Sequence, residues 1–143
     1  MPHIRPIAIC VFRHHGKILV FEGYDPQKNE TFYRPLGGGI EFGERSMDTV
    51  CRELREEISA EVRDLVYLGT LESIFTFDGK PGHEIVQVYD GMLTESGLYG
   101  QAVILGHEAG VGEPFRAMWK SLDEFGSGKS ILYPEGLLEM LSG

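Results

Sequence analysis

The chain has 143 residues, 42% of them hydrophobic, which predicts one globular domain over residues 1–143. Its formal net charge of −9 argues against a general affinity for a nucleic-acid backbone. Apolar runs are too short to cross a membrane, and the start lacks the apolar stretch of a signal peptide. The two cysteines, Cys10 and Cys51, belong to no metal-binding cluster, which favours two buried thiols in a reducing cytoplasm.

The first half of the chain predicts a hairpin, a short strand and a long helix. Two β-rich apolar runs, over 7–12 and 17–21, flank a turn at His14, His15 and Gly16. A polar loop over 23–30 then leads to a strand over 31–33, which Pro35 and the following glycines should stop. The helix, over 44–58, is the clearest element because its apolar residues recur at helical spacing.

The second half predicts a long antiparallel hairpin, with strands over 62–77 and 85–93. The segment 95–112 is glycine-rich and ambiguous, and a strand over 115–119 follows it. Ser121 can cap a short helix through Phe125, and Pro134 suits the first turn of a terminal helix that ends near Leu141. Together these elements predict an α/β fold in which helices pack on a mixed β-sheet.

Three carboxylates lie on one narrow arc of the long helix. Glu53, Glu56 and Glu57 are separated by offsets of three and four residues, and their like charges would destabilise a bare helix. A Mg²⁺ ion would reverse that effect, because it prefers carboxylate oxygens combined with water and phosphate. The alternative is a solvated acidic face, paired with Arg52 and Arg55. The glycine-rich turn that precedes the helix favours the metal, because glycine lets backbone approach a ligand closely.

The segment from Gly38 to Ala60 resembles the Nudix box, Gly-x5-Glu-x7-Arg-Glu-U-x-Glu-Glu-x-Gly-U, in which U is aliphatic. It departs from this motif at Ser59 and Ala60, past the acidic residues, where a left-handed helix exit is typical. The resemblance implies a Nudix-type α/β/α sandwich with a mixed sheet. It also implies Mg²⁺-dependent cleavage, with Mn²⁺ as a substitute, of a nucleoside diphosphate linked to another moiety.

The resemblance further implies which residues bind the metal and carry the catalysis. The expected metal ligands are Glu53, Glu56, Glu57 and the backbone carbonyl of Gly38 or its neighbour. Arg52 should orient a ligating carboxylate, while Glu44 either supports the helix start or reaches the metal. The general base stays open between the carboxylates Glu56 and Glu57 on the helix and Glu84, Glu108 and Glu113 on later segments.

The expected partner is a small-molecule nucleotide, and a homodimer is left open. Arg34 could grip a phosphate, and the backbone of Gly38 and Gly39 could approach the substrate. Phe75 and Phe77 are expected to be buried in the core, as is Trp119.

Nucleoside triphosphates, nucleotide sugars and capped RNA ends all remain open as substrates, the last disfavoured by charge. A catalytically silent nucleotide sensor on the same fold and an acidic protein-interaction helix are the alternatives. The aromatic candidates for stacking on a base are Tyr24, Phe32, Tyr33, Phe75 and Phe77.

Overall fold

The computed structural model describes residues 2–107 and 114–142. In this part of the chain, seven strands form one sheet, accompanied by three helices and one 3₁₀ turn. The elements, in chain order, are β1 (Arg5–His14), β2 (Lys17–Asp25), β3 (Glu30–Gly39), α1 (Ser46–Ile58), β4 (Val62–Phe77), β5 (Lys80–Leu93), the 3₁₀ turn (Ser96–Gly100), β6 (Val103–His107), β7 (Pro114–Ser121), α2 (Leu122–Gly126) and α3 (Leu137–Ser142).

The sheet is mixed, with strand order β4-β5-β1-β3-β2-β7-β6. β1 runs parallel to β5, and the other strand ladders are antiparallel. β3 changes partner along its length. Its first half pairs with β2 up to Pro35, and its glycine-rich second half pairs with β1 from Leu36 to Gly39. The end of β3 therefore lies in the middle of the sheet, next to the first strand of the chain.

Helices cover both faces of the sheet, so the predicted α/β/α sandwich is confirmed. On one face, Val50 and Leu54 of α1 are fully buried and pack with Ala8 of β1 and Leu36 of β3. Full burial of a leucine side chain contributes roughly 1.5–3 kcal/mol, so this contact is a main anchor of α1. The opposite face is covered by α2 and α3, whose buried residues are Phe125, Leu137 and Leu141.

Several element predictions are confirmed. The long hairpin of β4 and β5 pairs from Val62 with Leu93 to Phe77 with Lys80. Ser121 caps α2, because its hydroxyl accepts a hydrogen bond from the backbone N–H of Asp123. No helix among residues 2–107 and 114–142 is long and apolar enough to cross a membrane.

Other bounds were wrong. Pro35 does not stop β3, because it lies where the strand passes from β2 to β1 and a missing N–H is tolerated there. The loop predicted over 23–30 is shorter, since β2 continues to Asp25 and β3 starts at Glu30. α1 starts at Ser46 rather than at residue 44, and α3 starts after Pro134, at Leu137. The prediction that both cysteines are buried was wrong for Cys51, which is only half-buried.

Candidate metal and substrate site

The glycine run at the end of β3 brings backbone against two different neighbours. A Cβ on Gly37 would lie 2.1 Å from the carbonyl oxygen of Ala8, and Gly37 has a φ of 153°. A Cβ on Gly38 would instead lie 2.4 Å from Cδ of Glu53. The Glu53 carboxylate therefore rests directly on the Gly38 backbone, in space that any larger residue would fill.

The Arg52 guanidinium joins this strand end to α1. Its Nε and Nη2 donate to the two carboxylate oxygens of Glu44 at 2.8 and 3.0 Å, and Nη2 also donates to the Gly39 carbonyl at 3.0 Å. Its Nη1 donates to Glu53 at 2.9 Å and to Glu56 at 3.3 Å. Two of the three predicted carboxylate ligands of the metal are thus oriented by a single nitrogen atom.

Glu44 is held on several sides at the start of α1. Besides Arg52, its carboxylate accepts hydrogen bonds from the Thr49 hydroxyl at 2.7 Å and from the Glu41 backbone N–H at 3.2 Å. The hydrogen bonds from Arg52, followed by that from Thr49, lower the pKa of Glu44 to about 2. With these contacts, Glu44 supports the start of α1.

The three clustered glutamates differ in exposure. The side chain of Glu53 is 12% exposed, that of Glu56 is 39% exposed, and Glu57 is buried. Burial raises the pKa of Glu53, while the hydrogen bond and charge of Arg52 act in the opposite direction. Glu53 is therefore a desolvated carboxylate beside an exposed one.

Oxygen ligands of this kind suit Mg²⁺. In the described parts of the chain, no three His, Cys, Asp or Glu side chains are already arranged as a cation site. The donor chemistry and the cradle that Gly38 leaves for Glu53 nevertheless fit a divalent cation. The structure brings Glu53 and Glu56 together at Arg52, and it places Glu57 on the buried side of α1.

A cleft of about 380 Å³ opens between the tip of the β4–β5 hairpin and strands β2 and β3. Phe75 and Phe77 line it, and Phe77 is 42% exposed, so their predicted core burial was wrong. The reason is that β1 pairs with β5 only from Glu84 onward, which leaves the hairpin tip uncovered. The aromatic lining consists of Phe21, Phe32, Phe75, Phe77 and Tyr133.

A buried carboxylate and two arginines form the polar part of the cleft. Glu84 is 5% exposed, and its Oε1 accepts a hydrogen bond from Nη2 of Arg34 at 3.0 Å. Nη1 of Arg5 lies 3.6 Å from its other oxygen. The sequence singled out Arg34 and Glu84 but missed Arg5, whose role depends on the parallel pairing of β1 with β5.

The remaining candidates fall elsewhere. Tyr24 does not line the cleft: it is exposed and donates a hydrogen bond to Asn29. Tyr33 is buried on the face covered by α2 and α3. Trp119 packs against the opposite core cluster and stacks on an aromatic neighbour, as expected. Glu108 and Glu113 lie outside the described residues.

The sequence of the chain matches one protein-family model and several known proteins. A family model described as NUDIX domain matches residues 1–130. The chain is 36% identical over 69 residues to the NAD-capped RNA hydrolase NudC of Pseudomonas fluorescens, covering 48% of this chain and 24% of that protein. It is 32% identical over 80 residues to the RNA pyrophosphohydrolase of Bartonella quintana, covering 47% and 46% of the two chains. The matches thus span less than half the length of these relatives.

The fold has solved counterparts as well. A NUDIX hydrolase from Nitrosomonas europaea superposes with a TM-score of 0.67 at 16% sequence identity. The superposition covers 98% of this chain and 87% of the other. At this identity the similarity shows the fold, including the mixed sheet between two helical layers.

Proposed function

Because the chain belongs to the Nudix family, we propose that it is a Mg²⁺-dependent pyrophosphohydrolase. Its substrate is a nucleoside diphosphate linked to another moiety, and the bond cleaved is the diphosphate linkage. One observation carries this proposal: the Glu53 carboxylate rests on Gly38 and shares the Arg52 guanidinium with Glu56. The name of the Bartonella relative denotes the same bond type.

In this proposal, Glu53, Glu56, Glu57 and the Gly38 carbonyl hold the cation. A bound Mg²⁺ would neutralise charge on the phosphates and would lower the pKa of a bound water. Arg52 orients Glu53 and Glu56 through charge-assisted hydrogen bonds from one guanidinium nitrogen. Glu56, as the most exposed of the three, is our candidate for the base that accepts the proton of the attacking water.

We assign the nucleobase to the aromatic cleft. Phe32 lies perpendicular to Phe77 at a centroid distance of 6.0 Å and is tilted toward Tyr133 at 5.4 Å, so the cleft wall is a continuous aromatic surface. Aromatic surfaces of this kind accept any base by stacking. Arg34, on the same wall, is the candidate for binding a phosphate.

The direct test is phosphate or nucleotide release from a broad panel, measured with Mg²⁺, with Mn²⁺ and with a chelator. The panel contains nucleoside triphosphates, nucleotide sugars, dinucleotides and 5′-modified RNA. We expect metal-dependent turnover of at least one class, abolished by the chelator. Tight binding without turnover of any member would overturn the proposal in favour of a nucleotide sensor.

Phe75→Ala tests the assignment of the base site. Stacking on an aromatic side chain is worth about 1–3 kcal/mol, so KM for the best substrate should rise roughly 10-fold with kcat little changed. Ile74→Ala is the matched control, because Ile74 is the neighbouring residue on β4, is 71% exposed and does not line the cleft. Equal KM values for the two variants would contradict the assignment.

A further inference from the structure

Glu84 is a buried carboxylate at the start of the parallel ladder between β5 and β1. Its side chain is only 7% exposed, and its two oxygens face arginines from two other strands. Arg34 of β3 lies at 3.0 Å from one oxygen, and Arg5 of β1 lies at 3.6 Å from the other. A buried charge is costly unless it is paired, so Glu84 depends on these two side chains.

The two arginines keep most of their donors available. Within residues 2–107 and 114–142, Arg34 donates one side-chain hydrogen bond, to Glu84, and Arg5 donates none. A guanidinium carries several N–H donors in a planar fork that matches phosphate. Both arginines line the cleft, and the side chain of Arg5 is 56% exposed.

Arg5 also connects the cleft to the glutamates of α1. Its Nη2 lies 3.1 Å from the position that a Cβ on Gly39 would occupy, at the end of β3 that also carries Gly38. Its charge is among those that act on the Glu53 carboxylate. Arg5 and Arg34 therefore lie between the aromatic lining of the cleft and the glutamates of α1 that are the candidate metal ligands.

We propose that Glu84 is a positioning residue that fixes Arg5 and Arg34 as a clamp for a substrate phosphate. This inference rests on the proposed function, since it assigns the clamp to the phosphate between the base and the bond that is cleaved. It removes Glu84 from the candidates for the general base, because each of its oxygens faces a guanidinium group, one at 3.0 Å and the other at 3.6 Å.

The experiment compares Glu84→Gln with Glu72→Gln, the same change at an exposed site on neighbouring β4. Steady-state kinetics on the best substrate are combined with calorimetric binding of inorganic pyrophosphate and a thermal melt. For Glu84→Gln we expect KM to rise about 10-fold, kcat to change less than about 3-fold, and pyrophosphate affinity to fall with KM. Glu72→Gln should leave KM, kcat and pyrophosphate affinity unchanged.

The alternatives give different results. A general base at Glu84 predicts a kcat loss of about 100-fold or more, the loss of the acidic limb of the pH profile and an unchanged KM. A purely structural ion pair predicts a lower Tm with unchanged KM and pyrophosphate affinity. Either result would overturn the inference.

A second variant and a binding measurement cover the cases in which Glu84→Gln does not fold or the wild-type protein shows no turnover. If Glu84→Gln does not fold, Glu84→Asp retains the charge with a shorter reach, and KM and pyrophosphate affinity should shift in the same directions. If the wild-type protein turns over no substrate, the proposed function fails, and pyrophosphate binding alone decides on the clamp. A wild-type protein that does not bind pyrophosphate, or binds it as well without Glu84, would disprove the clamp.

Discussion

Ser59 ends α1 in the left-handed region, with φ 55° and ψ 36°. The Nudix box has glycine at this position, where this chain carries serine. A non-glycine residue in this conformation costs roughly 1–2 kcal/mol, because Cβ approaches the following carbonyl. The strain lies just past the acidic residues and does not displace them.

Ser59→Gly should therefore be tolerated or slightly stabilising. Relief of the left-handed strain outweighs the extra entropy of glycine in the unfolded chain, so we expect a gain of about 0.5–1 kcal/mol in the free energy of unfolding. Chemical denaturation of the two proteins measures the difference. A clear loss of stability in the variant would show that serine is not strained here.

Glu44 is the residue whose titration should be visible in stability. Its pKa falls from an ordinary 4.5 to about 2 in the folded protein, first through Arg52 and then through Thr49. Because the folded pKa is the lower one, the stabilisation is fully present above about pH 4.5 and is lost as the pH falls toward 2.

Glu44→Gln should accordingly lower Tm at neutral pH, and this Tm difference should narrow as the pH falls below about 4.5. Thermal melts of both proteins from pH 7 to pH 3 measure the narrowing. A Tm difference that stays constant over this range would mean that Glu44 does not titrate with the stated pKa.

At the scale of elements, the glycine run shows what local sequence could not predict. Pro35 and the glycines indicated a turn, yet the residues from Leu36 to Gly39 form a strand paired with β1. The pairing partner lies far away in sequence, so no local pattern signals it. The same holds for Phe75 and Phe77, whose exposure depends on where β1 stops pairing with β5.

Adjacent glycines in this strand should respond differently to alanine. In Gly38→Ala the new Cβ meets the end of the Glu53 side chain, which can move, so the fold survives while kcat falls about 100-fold. In Gly37→Ala the Cβ meets the Ala8 backbone, and the free energy of unfolding should drop by about 1–3 kcal/mol. Thermal melts and turnover assays separate the effects, and normal turnover by Gly38→Ala would contradict the role of this contact.

For the whole molecule, the sequence predicted the layered fold and the helix that carries the glutamates. It did so because helical offsets and the spacing of the box are local properties of the chain. The clamp of Arg5, Arg34 and Glu84 was not predicted as a unit, since its members come from three strands brought together by the sheet. The sequence did not predict this cluster because it depends on pairing between strands that are distant in the chain, which local residue patterns do not reveal.

In the proposed function, the glutamates on α1 support Mg²⁺-dependent cleavage of a diphosphate linkage. The most direct test is the turnover of the best panel substrate by wild-type protein, Glu56→Gln and Glu57→Gln, with Mg²⁺ and with a chelator. We predict that each variant keeps its fold, as judged by circular dichroism, and loses kcat by about 100-fold or more, while the chelator abolishes wild-type turnover. Near-normal turnover in both variants, or turnover unaffected by the chelator, would overturn the proposed function.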